Sequence, residues 1–408
     1  MHQRLPALLA FGAILALAST AFLACFGGTV DNSQVVVAGG THTCALTDGR
    51  VSCWGNNYYG QVGTNDETDF IFTKTDFVDL GEPAVDLAAG YDHTCALTDS
   101  GTVQCWGSNK FGQLGAGTTD RYSPVPVEVA GLTGVVAVGT GYYHSCAVLD
   151  NGGLRCWGRN EFGELGNGRA GRDESAFEPE KVGGLRNIRQ VDGGAAHTCA
   201  VTDSGDVYCW GSNAHGRLGD GSETDRLRPA QVLGLPEAAQ SVAVGAGHTC
   251  VLVEGGRLFC WGSNSYGQLG NGAYTLDFEI NATPREVVGI GGEVVFLASG
   301  GDHICTVTVS DAVYCWGSND YGQIGAIEEN RCVIIAFPCQ LTPIVVEQLR
   351  TVEGPVAIAG GFDHTCVLYD DGEAMCWGAN GVGQLGDGTE IDSLEPVTVI
   401  DGGSKQTR

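Results

Sequence analysis

The chain has 408 residues, a formal net charge of −27 and 64 glycines. Hydrophobic residues make up 43% and charged residues only 17%, a composition that fits a large folded core and excludes an extended acidic tail. The excess of carboxylates argues against nucleic acid as a partner, because phosphate binding needs clustered lysine and arginine. It also argues against electrostatic docking on an anionic membrane surface.

The first 24 residues are typical of an export signal. Arg4 precedes an almost wholly apolar run from Leu5 to Leu17, and small residues then lead to Cys25. The pattern resembles a bacterial lipoprotein signal, which implies that Cys25 is lipidated and becomes the mature amino terminus. An ordinary cleaved signal peptide and a retained membrane anchor are the alternatives.

Residues 35–400 repeat one unit seven times. Each copy holds a His, a Cys two residues later, and a second Cys that is followed by Trp and Gly, as in His93, Cys95, Cys105 and Trp106. The period of roughly 50 residues, with about four short apolar runs per copy, predicts propeller blades rather than a helical solenoid. We therefore expect an all-β, seven-bladed β-propeller of four-stranded antiparallel blades. It follows a short tether at residues 25–34 and precedes a tail at residues 401–408.

The two cysteines of each copy lie on the two arms of a hairpin. In copy two, a three-residue loop ending in Gly101 makes Cys95 face Cys105, with glycine where the backbone needs a positive φ. Copy one is one residue shorter, and a two-residue Asp48-Gly49 turn keeps its cysteines opposed. Facing residues of antiparallel strands are close enough for a disulfide. The seven expected disulfides are Cys44–Cys53, Cys95–Cys105, Cys146–Cys156, Cys199–Cys209, Cys250–Cys260, Cys305–Cys315 and Cys366–Cys376.

Three more cysteines complete the 17 of the chain. Cys332 and Cys339 form a further predicted pair across a long insertion, and Cys25 is the lipidation candidate. Zinc is the rival interpretation of paired cysteines beside histidine, although the spacing is not that of a zinc site. Disulfides imply an oxidising compartment, so we expect an exported protein, either in a bacterial cell envelope or secreted.

The two ends of the repeat region are predicted to close the ring. A Pro-containing outer strand precedes the Val-rich strand of each later copy, whereas copy one begins at Val35 without one. The chain ends with Val397 to Val399, a similar strand that no copy follows. We therefore expect this C-terminal strand to pair into the first blade, since unpaired edges favour aggregation.

The repeat resembles that of the regulator of chromosome condensation family. The resemblance is carried by His-Thr-Cys, Cys-Trp-Gly-Ser-Asn and Tyr-Gly-Gln-Leu-Gly, as found between His248 and Gly270, and covers about residues 35–400. It implies a seven-bladed propeller. The eukaryotic founder exchanges guanine nucleotide on a small nuclear GTPase, and other members are binding platforms. The export signal, the paired cysteines and the acidity of this chain all differ from the founder.

The repeated residues themselves are interpreted as structural. The seven histidines occupy equivalent places around a ring, too far apart to share one ion, and are expected to be hydrogen-bonded within the blade core. The tryptophans are expected to be buried. We predict no metal, no cofactor and no catalytic residue, with calcium at the acidic Asp66–Asp69 loop as the alternative.

The connections before the outer strands vary most between copies. They are long in copies one, three, five and six, and they are predicted to project from one face of the disk. Their apolar residues are candidate binding anchors unless these loops fold back on the blades. The candidates are Phe70, Phe72, Phe177, Tyr274, Phe278, Ile334, Ile335 and Phe337.

These features predict a monomeric, non-enzymatic propeller that is held at the membrane only by a lipid anchor. It is expected to recognise a protein, or alternatively a glycan, through the loops of one face. An enzyme, a lyase or hydrolase working at the central channel, is one alternative, and clustered carboxylates with shifted pKa values would favour it. A guanine-nucleotide exchange factor is the other.

Overall fold

The computed structural model describes residues 34–273, 280–326, 338–349, 352 and 354–402. These form seven antiparallel sheets of four strands each, arranged as the blades of a propeller. The predicted fold class is confirmed. Two 3-10 turns, Ala214–Gly216 and Glu347–Leu349, interrupt the strands of the described part.

Each blade is built from four consecutive strands, ordered from the central channel outward. The strands of blades 1 to 3 are β1 (Val35–Ala38), β2 (His42–Thr47), β3 (Arg50–Asn56), β4 (Phe70–Ile71), β5 (Ala84–Ala89), β6 (His93–Thr98), β7 (Val103–Ser108), β8 (Tyr122–Glu128), β9 (Val135–Thr140), β10 (His144–Leu149), β11 (Leu154–Gly158) and β12 (Ala176–Lys181).

The strands of blades 4 to 7 continue the same order. They are β13 (Ile188–Gly193), β14 (His197–Thr202), β15 (Val207–Gly211), β16 (Arg226–Gln231), β17 (Ala239–Val244), β18 (His248–Val253), β19 (Leu258–Gly262), β20 (Arg285–Glu286), β21 (Val294–Ser299), β22 (His303–Thr308), β23 (Val313–Ser318), β24 (Cys339–Val345), β25 (Pro355–Gly360), β26 (His364–Tyr369), β27 (Ala374–Gly378) and β28 (Ser393–Thr398).

The hairpins have the predicted register. Cys95 pairs with Cys105 and Leu97 with Val103, and Gly101 has a φ of 79°. In blade 1, Asp48 and Gly49 both have positive φ, at 53° and 74°, as a two-residue type I′ turn requires. The seven hairpin pairs are disulfides with Cα–Cα distances of 4.0–4.2 Å. Cys339 is also disulfide-bonded and buried, while its predicted partner Cys332 lies outside the described residues.

The prediction of ring closure is wrong. Val397 pairs with Cys376, so β28 is the outermost strand of blade 7 and takes no place in blade 1. The expected closure treats each Pro-containing strand as part of the copy that follows it. In the structure this strand instead turns back onto the Cys-Trp strand of its own copy, as β8 does on β7, so every blade is one continuous stretch of chain.

The ring is held by side chains that link each blade to the next. The indole N–H of the repeat Trp donates to a main-chain carbonyl of the preceding blade at 2.7–3.0 Å. A buried Thr or Ser next to the repeat His donates its hydroxyl to the same carbonyl in six of the seven junctions, for example Thr94 to Gln61. The junction between blades 7 and 1 is one of the six: Trp54 and Thr43 both donate to Gln384.

The repeat histidines complete these junctions. Because the Thr or Ser hydroxyl donates to the carbonyl, it accepts a hydrogen bond from the Nε2–H of the His in the preceding blade, with N···O distances of 2.8–3.0 Å. Ile304 occupies the Thr position in blade 6, and His248 bonds to the Ser299 hydroxyl at 2.7 Å instead. The histidines are therefore structural, as expected, but they link neighbouring blades rather than the interior of one.

The propeller has two unlike faces. One end of each blade holds the end of the first strand and the start of the second, as the pair Ser145–Thr140 shows. The end of the third strand and the start of the fourth lie at the same end, as the pair Gly158–Ala176 shows. We call this end the loop face, and the opposite end, with the disulfide hairpins, the hairpin face. No helix among the described residues is long and apolar enough to span a bilayer.

Candidate functional site

The loop face is built on a repeated turn that follows the Cys-Trp-Gly strand. In blade 2 the Asn109 carboxamide oxygen accepts the amide N–H of Leu114, and Gln113 accepts that of Phe111. The short turn between them leaves the side chain before the glycine on the surface of the face. The amide contact made by Gln113 recurs at Tyr59, Phe162, Tyr266, Tyr321 and Val382.

These turns place a ring of aromatic side chains on the loop face. Phe162 and Tyr321 are exposed by 38% and 44%, and Phe111 is half-buried. The Lys110 ammonium lies 5.0 Å from the centre of the Phe111 ring. Such partly exposed aromatics supply large contact areas at small conformational cost, which is why they are common at interfaces.

A second aromatic group lies at the mouth of the central channel. Tyr91, Tyr142 and Phe362 follow the innermost strands of blades 2, 3 and 7, and their ring centres are 5.3–6.0 Å apart. We call these three residues the mouth cluster. Tyr143 adjoins it at 5.9 Å from Tyr91, with the Arg159 guanidinium 5.0 Å from its ring centre.

A small residue at the equivalent position of a neighbouring copy leaves space for the rings of the mouth cluster. Gly40 stands in blade 1 where Tyr91 stands in blade 2, and a Cβ on Gly40 would lie 2.9 Å from the Tyr91 ring. Main-chain hydrogen bonds fix these loops to one another: Tyr91 donates to Tyr142 at 3.1 Å and Phe362 donates to Gly39 at 3.2 Å. The main chain that carries the three aromatic rings is thus hydrogen-bonded between blades.

Carboxylates surround the mouth cluster. Asp92, Asp302 and Asp363 occupy one repeat position beside the repeat His, and each accepts a hydrogen bond from a Gln of the preceding blade at 2.9–3.4 Å. Burial raises the pKa of each carboxyl to about 6. None of the three forms an ion pair within 4.0 Å in the part of the chain that the structure describes.

Below the mouth, the innermost strands line a cavity of about 220 Å³. Its wall is mainly aliphatic and glycine backbone, with Asp86, Gln190 and Asp192 among the polar exceptions. Gln190 exchanges two hydrogen bonds with the backbone of Val242. Burial raises the pKa of Asp192 to about 7, although the amides of Gly193 and Val244 donate to its carboxylate.

The sequence-predicted anchors have different placements. Phe70 is 41% exposed in β4, at the rim of a wide surface groove. Phe72 and Phe177 are half-buried and fold back: a Cβ on Gly383 or on Gly112 would lie within 3 Å of their rings, so they pack against the neighbouring blade. Tyr274, Phe278, Ile334, Ile335 and Phe337 lie outside the described residues, as does Cys25.

No group of three or more metal-ligating side chains occurs within residues 34–273, 280–326, 338–349 and 354–402. At the acidic loop, the Asp66 carboxylate accepts from the amide and hydroxyl of Thr68, and these contacts lower its pKa. Burial lowers the pKa of His93 and His144 to about 3, so the junction histidines are neutral at physiological pH.

The mouth cluster was not among the residues predicted from the sequence, although the repeat alignment within the chain distinguishes its three residues. The residue after the first-strand Gly is small in four copies, Gly40, Ala195, Ala246 and Gly301, and aromatic in the other three. The three copies with an aromatic residue at this position are those that contain Tyr91, Tyr142 and Phe362. Their proximity across the ring, however, depends on the curvature of seven blades, which one repeat does not specify.

The chain is similar in sequence to several regulatory proteins. It is 33% identical over 387 residues to the ultraviolet-B receptor UVR8 of Arabidopsis thaliana, covering 91% of this chain and 83% of that protein. It is 30% identical to the secretion-regulating guanine nucleotide exchange factor of Bos taurus, covering 86% and 79%. The human E3 ubiquitin-protein ligase HERC2 is 30% identical, but the match spans only 8% of that much longer protein.

Solved structures share the fold. Human WBSCR16 superposes with a TM-score of 0.75 at 24% identity, covering 86% of this chain and 93% of that one. Prp20p of Saccharomyces cerevisiae superposes with a TM-score of 0.75 at 22% identity, covering 86% of each chain. The RCC1-like domain model matches residues 26–303, and RCC1 repeat models match within residues 294–384. The chain therefore belongs to the RCC1-like family, the regulator of chromosome condensation repeat propellers.

Proposed function

We propose that this chain is an exported binding protein that recognises a partner protein through its loop face. The observation that carries the proposal is the concentration of partly exposed aromatic side chains on that face, in the mouth cluster and in the surrounding ring. Aromatic side chains are common among the residues that supply protein–protein binding energy, and nearby charges favour a partner of complementary charge. The family supports the general role, since its members include receptors and regulators that act by binding.

Export is proposed from the sulfur chemistry. Seven buried disulfides suit an oxidising compartment and are rare where thiols are kept reduced. The relatives above are eukaryotic, so the further proposal of a bacterial envelope with a lipid anchor rests on the first 25 residues alone. Intact-mass analysis of the mature protein tests it: a diacylglyceryl group on Cys25 is expected, and a chain that starts elsewhere without lipid contradicts it.

Site-specific photocrosslinking tests which face binds. The photoreactive residue benzoylphenylalanine replaces Tyr321 on the loop face or Val309 on the hairpin face, both exposed and both in blade 6. The proposal predicts one dominant adduct from position 321, suppressed by excess unlabelled protein, and none from position 309. Adducts from position 309 alone, or equal adducts from both, would contradict it.

A second candidate, an enzyme at the channel mouth, is favoured by one observation. Asp92, Asp302 and Asp363 are carboxyls with pKa values raised by burial, and such groups serve as general acids near neutral pH. Their hydrogen bonds to Gln61, Gln268 and Gln323 equally fit a role in holding blades together. Turnover of any glycan or peptide that is lost in Asp302→Asn, but kept in Asp99→Asn on the hairpin face, would support the enzyme.

Guanine-nucleotide exchange, the function named for the bovine relative, would require residence with a cytosolic GTPase. The seven disulfides weigh against that residence.

A further inference from the structure

We propose that the mouth cluster and the carboxylates of Asp92 and Asp363 form a binding site for the guanidinium group of an arginine on the partner protein. This inference rests on the proposed function, and it names the chemistry recognised at one point of the loop face. The contacts of Tyr91, Tyr142 and Phe362 carry it, together with the nearby carboxylates of Asp92 and Asp363.

The three rings offer π faces suited to a cation. They come from blades 2, 3 and 7 and meet at ring-centre distances of 5.3, 5.6 and 6.0 Å, so they form a triangle rather than a stack. All three are only half-buried. A cation over an aromatic face is attracted by the ring quadrupole, most strongly where water is partly excluded.

The adjoining part of the same surface already binds a guanidinium in this way. Arg159 lies 5.0 Å from the ring centre of Tyr143, and its Nε donates to the buried carboxylate of Glu164 at 2.9 Å. Tyr143 contacts the mouth cluster through Tyr91. No cation of the described chain lies over Tyr91, Tyr142 or Phe362 themselves.

Two carboxylates flank the cluster without a positive partner. Asp92 and Asp363 adjoin Tyr91 and Phe362 in the chain and form no ion pair among the described residues. Burial raises the pKa of Tyr91, and the charges of Tyr143, Asp92 and Asp363 raise it further, so both carboxylates act on the same ring. Asp302 is left out of the site because it faces Arg217 of the chain itself.

The Tyr142 hydroxyl favours a guanidinium over a quaternary ammonium. Its oxygen is buried and has no hydrogen-bond partner within the described structure. A guanidinium brings five N–H donors in a planar fork, enough for this oxygen and for the carboxylates, whereas a quaternary ammonium brings none. The formal charge of −27 on the chain also suits a basic segment as the partner.

Binding of two labelled peptides tests the inference with the full mature chain. The first is acetyl-Gly-Arg-Gly-Arg-Gly, and the second replaces both arginines by citrulline, which keeps the shape and removes the charge. Fluorescence polarisation at fixed ionic strength is expected to give at least about tenfold weaker binding of the citrulline peptide.

Variants locate the site. Tyr142→Phe keeps the aromatic ring and removes the hydroxyl. Phe362→Leu keeps an apolar side chain and removes the π face. Each variant is expected to weaken binding of the arginine peptide by about threefold to thirtyfold. Asp363→Asn is compared with Asp99→Asn, which removes the same charge from the hairpin face. Only Asp363→Asn is expected to weaken binding, and unchanged near-ultraviolet circular dichroism shows that each variant is folded.

Equal binding of the two peptides would overturn the inference, because the guanidinium charge would then contribute nothing to binding. Equal loss in Asp363→Asn and Asp99→Asn would also overturn it, because the attraction would then come from the general acidity of the chain. The proposed function is tested separately, since crosslinking from position 321 does not depend on the chemistry at the channel mouth. A crosslinked partner with no arginine preference therefore removes this inference alone.

Discussion

At six of the seven junctions, one buried hydroxyl links a blade to the next. Thr94 accepts from His42 and donates to the carbonyl of Gln61, which also receives the indole N–H of Trp106. All of these groups are buried, so each missing partner leaves an unsatisfied polar atom. Blade 6 lacks this Thr hydroxyl, and the hydroxyl of Ser299 forms the hydrogen bond with His248 instead.

Thr94→Val should therefore destabilise the protein by about 1–3 kcal/mol, since it leaves His42 Nε2–H buried and unpaired. Urea denaturation measures the effect. Thr118→Val, an exposed site on the same blade, is the matched control and should stay within about 0.5 kcal/mol of the wild type. Equal stabilities of the two variants would show that the junction hydroxyl does not matter.

Asp192 should give the stability a pH dependence of identifiable sign. Burial raises its pKa to about 7, so the folded state keeps a proton that the unfolded chain releases near pH 4. Its contribution is present at low pH and is lost as the pH rises through 7. Asp192→Asn mimics the protonated form, and its stability relative to the wild type should rise between pH 4 and 7.5 in thermal unfolding. Exposed Asp99→Asn should show no such trend.

At the scale of the element, the hairpins were predictable because a turn and a pair of cysteines constrain each other. The shorter loop of blade 1 left Cys44 opposite Cys53, as its register confirms. The pairing of the outermost strands was not predictable, because the sequence of a Pro-containing strand such as β8 does not show which neighbouring strand it pairs with. Only the return of the chain through the loop-face turn assigns it to its own blade.

Removing one disulfide should cost a measurable part of the stability. Replacing Cys146 and Cys156 by alanine opens a hairpin loop with a sequence separation of 10. In the chain-entropy account this destabilises the fold by about 2–3 kcal/mol. The urea midpoint should fall, and the Cys44–Cys53 pair, with a separation of 9, should give a similar loss when removed as the comparison. An unchanged midpoint in both would contradict a stabilising role for the disulfides.

The blades form a ring in which blade 1 meets blade 7 through the same Thr contacts that occur at five of the other six junctions. Thr43 binds His364 at 2.9 Å and donates to Gln384 at 2.9 Å, the same pair of contacts that Thr94 makes one junction further on. Thr43→Val should therefore cost as much as Thr94→Val in urea denaturation. A much larger loss from Thr43→Val would mean that the closing junction is special.

The sequence also predicted that the variable connections share one face, and the strand order places the described parts of these connections there. It did not separate anchors from packing residues, because Phe177 differs from an exposed aromatic only through its contact with Gly112 of another blade. Nor did it group Tyr91 with Phe362, which are distant in the chain and meet across Gly40. Such contacts between blades arise only once the ring is closed.

A disulfide-bonded propeller that works outside the cytosol must keep its hairpin cysteines oxidised. The most direct measurement is the state of its cysteines in the cell, trapped by acid quenching and alkylation of the unreduced protein before mass analysis. The cysteines of the seven hairpin pairs are expected to escape alkylation until a reductant is added. Free alkylation of those pairs in the denatured, unreduced chain would contradict both the export and the extracytosolic binding role.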